Sequence, residues 1–417
     1  MAQIKDSLID FNPWWKGKFE IEFKEREAYR KIRKFMPLRQ MLALTGLRRV
    51  GKTTIMLKVA DDSINKGFDP KHIMYFSFDE FKTAEIREVM RAYEDMMNLE
   101  INKGKYLLLL DEIQKLRNWE DQLKAIYDTF RNIKIIVSGS ESLFIRKKSK
   151  ETLAGRMFDF KVELLSFREF LWFKGADFKP TGIYRQELAR LFAEFTLSLG
   201  FPELVGLRDK EVIKKYVRES IVDKIVYKDM PGLFKIKDIS VIEALLNILM
   251  EEPGQVMDLS ELAGELKISR QALSNYLSYL EESFLIRKLY NFSRSRRKVE
   301  RKLKRYYPAL VSVDLLFKED EYNQSKIFEC LIINQLKAEF FWRDPYKNEV
   351  DIILPGKEPV PLEIKYGKTD APGLVAFMKR FKVSRGYVLS RDKEQTQKVD
   401  GKTITIIPAY KFLLNSS

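Results

Sequence analysis

The chain has 417 residues, 45% of them hydrophobic, with 75 Lys and Arg against 60 Asp and Glu, for a net charge of +15. That size and apolar content build several packed domains and exclude a disordered chain, and the single cysteine, Cys330, excludes an internal disulfide framework and fits a reducing cytosol. With no apolar run of membrane-spanning length and no apolar h-region at the N-terminus, the sequence predicts a cytoplasmic protein without a membrane span; its basic surface suits a polyanion, nucleic acid foremost, with plain solubility as the alternative.

Residues 1–20 read as an arm, and its "NPWW" stretch, Asn12 to Trp15, is expected to dock on the core that follows. Residues 21–165 alternate helical patterns with the apolar runs "MLALTG", "HIMYFSF", "YLLLLDE" and "IKIIVSGS". Runs of this kind between helices predict buried parallel strands of an α/β sheet. Residues 166–240 are mostly helical, 241–306 carry short amphipathic helices and a basic stretch, and 307–417 return to strands around one helix.

After the first strand comes "GLRRVGKTT", which comprises Gly46, Leu47, Arg48, Arg49, Val50, Gly51, Lys52, Thr53 and Thr54. It fits G-x-x-x-x-G-K-[ST], a loop whose backbone N–H groups and following helix N-terminus cradle phosphates. Lys52 would reach the β- and γ-phosphates of ATP, and Thr53 would ligate Mg²⁺. "KYLLLLDEIQ" delivers Asp111 to the same metal and Glu112 to the attacking water. "IIVSGSES" ends a further strand, where Ser138 and Ser140 could sense the γ-phosphate.

"NPWW", "GLRRVGKTT", "LLLLDEIQ", "VSGS" and "LAGRMFDFKVELLSFREFL" occur in this order. Together they resemble the archaeal and other prokaryotic AAA-type ATPases that carry a C-terminal nuclease-like domain. The resemblance implies a P-loop core with a helical lid, and it makes Arg156 of "AGR" a finger on a neighbouring subunit's ATP. Such fingers raise turnover by about 10³–10⁵, and one acting in trans implies a homo-oligomer.

"VMDLSELAGELKISRQALSNYLSYLEESFLIRKL" predicts a helix capped by Asp258 or Ser260, a turn, a second helix and a strand. This is a winged-helix pattern, used for the DNA major groove and also for protein contacts. Its groove-facing residues would be Arg270, Gln271, Ser274 and Asn275. Residues 287–305 then carry ten Lys or Arg and one Glu, among them Arg294, Arg296, Arg297 and Lys298. With nearby tyrosines, this run suits backbone tracking and base stacking.

Near the end, "NEVDIILPGKEPVPLEIKYG" places Asp351 on one strand and Glu363 and Lys365 on one face of the next. With Glu329 on the preceding helix these could cage Mg²⁺. The order resembles the PD-(D/E)xK nuclease fold, with Val350–Asp351 in place of the leading Pro-Asp. The sequence therefore predicts an ATP-hydrolysing DNA-processing protein. Its alternatives are an ATP switch acting on protein partners with an inactive nuclease fold, and an ATP-gated endonuclease.

Overall fold

The computed structural model describes residues 2–139, 151–295, 299 and 303–415. They divide into two compact units, 1–164 and 165–417. The N-terminal unit holds five strands: β1 (Met41–Thr45), β2 (Ile73–Ser77), β3 (Tyr106–Asp111), β4 (Ile133–Ser138) and β5 (Met157–Lys161). Their order is β2-β3-β4-β1-β5, and every pair is parallel. Four of these strands are the four apolar runs, buried almost throughout because helices cover both faces of a parallel sheet. β5 was not expected: "MFDFK" alternates and is half exposed, as an edge strand can be.

Helices α1 (Ala2–Phe11), α2 (Glu27–Phe35), α3 (Lys52–Asn65), α4 (Ile86–Met97) and α5 (Trp119–Thr129) complete the unit. The predicted arm is thus mostly helix. Ile4 and Leu8 of α1 enter the same apolar core as Met74, Phe76, Val89 and Tyr93. Because all five strands run the same way, their carboxyl ends lie on one edge of the sheet, the edge where open α/β sheets bind ligands. One strand, β4, separates β1 from β3.

In the C-terminal unit, helices Phe167–Phe173 and Arg185–Ser198 precede a long helical run to Leu233, and helix Ile239–Glu251 follows. Helix Leu259–Glu265 is capped by Asp258, whose carboxylate accepts from the Ser260 and Glu261 amides. Helix Arg270–Glu282 is capped by Ser269, which accepts from the Ala272 amide. Strands β6 (Ile286–Asn291) and β7 (Lys304–Pro308) form an antiparallel pair behind them. This pair does not end as a separate wing: β6 also pairs in parallel with β8 (Phe340–Arg343), giving the sheet β7-β6-β8-β9 with β9 (Glu349–Val350). A division at 306/307 therefore falls inside β7.

A second sheet follows the order β10-β11-β12-β14-β13, from β10 (Ile352–Leu354), β11 (Val360–Lys365), β12 (Arg385–Ser390), β13 (Gln395–Val399) and β14 (Lys402–Pro408). Helix Glu321–Gln335 precedes β8, and helix Pro372–Phe381 joins β11 to β12. The chain passes from one sheet to the other at Asp351, between Val350 of β9 and Ile352 of β10. Among the described residues no helix is long and apolar enough to cross a membrane.

Candidate functional sites

β1 ends at Thr45 and the chain turns at Gly46, whose φ is 141°. A Cβ there would lie 2.2 Å from the Val162 carbonyl oxygen, so only glycine fits. The loop closes at Gly51 (φ 92°), and α3 starts at Lys52. Arg26 holds the loop from outside: its guanidinium donates to Val50 O and to Glu163 O, both at 2.7 Å. No motif marks Arg26, which is why the sequence does not announce it. Lys52 is 6% exposed and donates to Gly46 O at 3.0 Å and Leu47 O at 2.7 Å. Its ammonium thus lies across the loop that the glycines shape. Arg48 is half-buried, while Arg49, Thr53 and Thr54 are exposed.

The Thr53 hydroxyl donates to Asp111 Oδ2 at 2.6 Å. The same oxygen accepts from the Tyr75 hydroxyl at 2.8 Å, and Oδ1 accepts from the Glu112 amide at 3.0 Å and from Ser138. A hydroxyl and a carboxylate in contact at the mouth of a phosphate loop are hard oxygen donors of the kind Mg²⁺ takes, so these residues fit the ion. Ser138 is fully buried and directed at Asp111, which follows from the position of β4 between β1 and β3. Ser140 lies outside the described residues.

Glu112 adopts φ 54°, and its carboxyl accepts from the Gln114 amide at 2.6 Å. Burial pushes its pKa above the ordinary value, opposed by the charge of nearby Lys52. A carboxylate whose proton affinity is raised beside the phosphate loop is a stronger base toward water. Arg156 makes a two-pronged pair with Asp128, at 3.0 and 3.2 Å, on the partly exposed start of β5.

In the C-terminal unit, Arg270, Gln271, Ser274 and Asn275 all lie on the exposed face of helix Arg270–Glu282, opposite buried Leu273, Tyr276, Leu277 and Leu280. Gln271 donates to Asn275 at 3.0 Å along that face. Arg294 lies 5.9 Å from the Phe381 ring centre and donates to Phe381 O at 3.2 Å. Arg296, Arg297 and Lys298 lie outside the described residues. Tyr306 and Tyr307 are buried, 6% and 0% exposed, so they offer no surface for base stacking.

Glu329, Asp351, Glu363 and Lys365 do converge, but together with three residues the sequence did not point to: Arg305, Tyr307 and Glu349. Tyr307 donates to Glu329 Oε1 at 2.6 Å. Asp351 Oδ2 accepts from the Ile364 amide at 2.8 Å, and Lys365 pairs with Glu363 Oε1 at 2.8 Å. Arg305, 7% exposed, donates to Glu349 and lies 3.8 Å from Asp351 Oδ1. Burial first, then the neighbouring Asp351 charge, raise Glu329 to about 7 and Glu363 to about 8.

Among the described residues, Glu363 Oε2 is the one carboxylate oxygen here that is buried without a hydrogen-bond partner. No group of three or more His, Cys, Asp or Glu among the described residues is arranged to hold a metal ion. The residues of the expected cage thus meet internal partners: Tyr307 on Glu329, the Ile364 amide and Arg305 on Asp351, and Lys365 on Glu363.

Comparison with known proteins agrees with the N-terminal geometry. Residues 38–171 match the model of an AAA domain. Residues 189–309 and 324–412 match two domains of unknown function, DUF8612 and DUF4143. The chain is 27% identical to uncharacterized protein MJ1637 of Methanocaldococcus jannaschii, over 90% of this chain and 85% of that one. It is 28% identical to MJ1544 of the same organism, over 88% and 83%. Among solved structures, AMPPCP-bound DnaA from Aquifex aeolicus is similar at TM-score 0.29 and 15% identity, over 63% of this chain and 90% of that one. Cdc6p from Pyrobaculum aerophilum is similar at TM-score 0.31 and 11% identity, over 75% and 96%. The phosphate loop and the all-parallel strands β1 to β5, with β4 between β1 and β3, all lie within the residues that match the AAA domain.

Proposed function

We propose that this protein hydrolyses ATP and that the nucleotide state governs DNA binding by the C-terminal unit. The observation that carries the first half is the meeting of Lys52, Thr53, Asp111 and Glu112 at the carboxyl ends of β1 and β3. Lys52 exchanges its loop carbonyls for phosphate oxygens. Thr53 and Asp111 would hold Mg²⁺, which supplies positive charge to the phosphates when bound. Glu112 orients the attacking water and accepts its proton, and Ser138 keeps the Asp111 carboxylate in place. Arg156 would have to leave Asp128 to serve a neighbouring subunit's ATP, so a finger role belongs to a homo-oligomer in which that pair opens.

The DNA reading is supported by the charge of +15 and by the capped helix pair followed by an antiparallel strand pair, the order of elements that a winged helix would have. It puts Arg270, Gln271, Ser274 and Asn275 in the major groove and Arg294, with the basic residues that follow it in sequence, on the backbone. The C-terminal sheet and helices would be a PD-(D/E)xK-like fold that binds without cutting, since Arg305 holds the carboxylates. That last observation also favours the second reading, a switch acting on protein partners.

The test is ATP turnover by wild type and Lys52→Ala, with and without duplex, forked and single-stranded DNA, at 50 to 200 mM salt. The reading expects turnover lost in Lys52→Ala. It also expects DNA binding that falls by about 10³-fold across that salt range if six phosphates are contacted. Turnover that survives in Lys52→Ala would refute the nucleotide site; DNA that neither binds nor alters turnover would leave the protein-partner switch.

A further inference from the structure

We infer that Tyr75 is a positioning residue for Asp111 and that Asn12 seats it, a role resting on the ATPase reading above. Tyr75 lies on β2, the edge strand of the sheet, opposite Leu109 of β3. Its side chain is 7% exposed, and its ring meets Phe11 of α1 edge-on at 6.0 Å. Its hydroxyl donates to Asp111 Oδ2 at 2.8 Å.

Asp111 accepts four hydrogen bonds, two on each oxygen. Thr53 is the donor whose hydroxyl is also wanted by the metal. When Thr53 turns its lone pairs outward, Oδ2 keeps one donor, Tyr75. Without it the carboxylate can rotate about its last torsion, which has broad, weakly restraining wells.

An edge strand has no ladder neighbour on its outer side and is free to fray. Here the N-terminal "NPWW" supplies one. Asn12 Oδ1 accepts from the Tyr75 amide at 2.7 Å, and Asn12 Nδ2 donates to Tyr75 O and to Leu8 O, both at 2.8 Å. The Trp14 and Trp15 indoles donate to Ile73 O at 3.1 and 2.9 Å. One asparagine thus makes both backbone bonds of a missing strand, at the residue whose side chain reaches the metal-binding acid. The arm is thereby part of the magnesium site without touching it.

The test is magnesium titration of ATP turnover, alongside calorimetric ATP binding with and without magnesium, in full-length Tyr75→Phe and Asn12→Ala. Tyr75→Phe removes one oxygen and leaves the ring. A lost hydrogen bond to a charged group predicts a free-magnesium requirement raised roughly ten- to a hundredfold, with metal-free ATP affinity unchanged. Asn12→Ala should move the magnesium requirement the same way by a smaller factor. An unchanged magnesium requirement in Tyr75→Phe, or an equal loss of ATP affinity with and without magnesium, would overturn the inference. Lys52→Ala separates the two levels: if it loses ATP binding while Tyr75→Phe behaves as wild type, this role alone fails. If Lys52→Ala keeps ATP binding, the site reading beneath it fails.

Discussion

Replacing Arg305 with methionine tests the carboxylate cluster directly. The guanidinium is 7% exposed, donates to Glu349, lies 3.8 Å from Asp351 and sits 5.0 Å from the Phe341 ring centre. At 3.8 Å and an effective dielectric near 20, one such pair is worth about 4 kcal/mol. Part of that returns when the cation's own desolvation cost disappears. The carboxylates then face one another without it, and breaking one side of a buried pair costs about 3–5 kcal/mol. Methionine fills most of the volume, so cavity formation adds little. The assay is hydrogen exchange of the peptide spanning β11, whose Ile364 amide is bonded to Asp351. Arg305→Met should exchange about a hundredfold faster or more, and adding Asp351→Asn should recover part of the loss. A single variant that loses under about 1 kcal/mol, or a double variant with purely additive costs, would refute the internal-cation account.

Three further outcomes follow from the same geometry. Glu112→Gln should keep ATP binding and lower turnover by about 10²–10⁴, the range of a lost general base; nucleotide binding and single-turnover rates check it. The raised Glu329 and Glu363 set a pH dependence. A carboxyl whose folded pKa lies above its unfolded value costs stability above the folded pKa, and the cost vanishes below the unfolded one. The C-terminal unit should therefore gain stability as pH falls from about 8 toward 4.5, seen as slowing β11 exchange after correction for intrinsic rates; a flat profile contradicts the burial argument. Finally, Arg270→Ala should weaken binding to a preferred DNA sequence by about 1–3 kcal/mol and leave binding to random DNA largely intact. Equal losses on both would move Arg270 from base reading to backbone contact.

The phosphate site was legible because its residues are local: one loop, one strand end, and glycines whose φ values demand them. The capped helix pair was legible for the same reason, down to Asp258. Long-range pairing was not. Nothing in "FNPWW" says that Asn12 pairs with a residue 63 positions away. Arg305 lay inside a basic run that reads as surface, yet β7 turns it inward toward Glu349, 44 positions on. The parallel pairing of β6 with β8 likewise joins segments that composition separates. β5 escaped because a half-exposed edge strand lacks the apolar run of its neighbours.

The four-stranded sheet β7-β6-β8-β9 has a consequence for how this protein can be taken apart. It stitches the hairpin behind helix Arg270–Glu282 to β9, which ends at Val350 just before Asp351. The exposed face of that helix and the acidic cluster are therefore not detachable modules. A truncation placed between them would strip a partner from both halves, and a graft of either onto another scaffold would have to carry the other along.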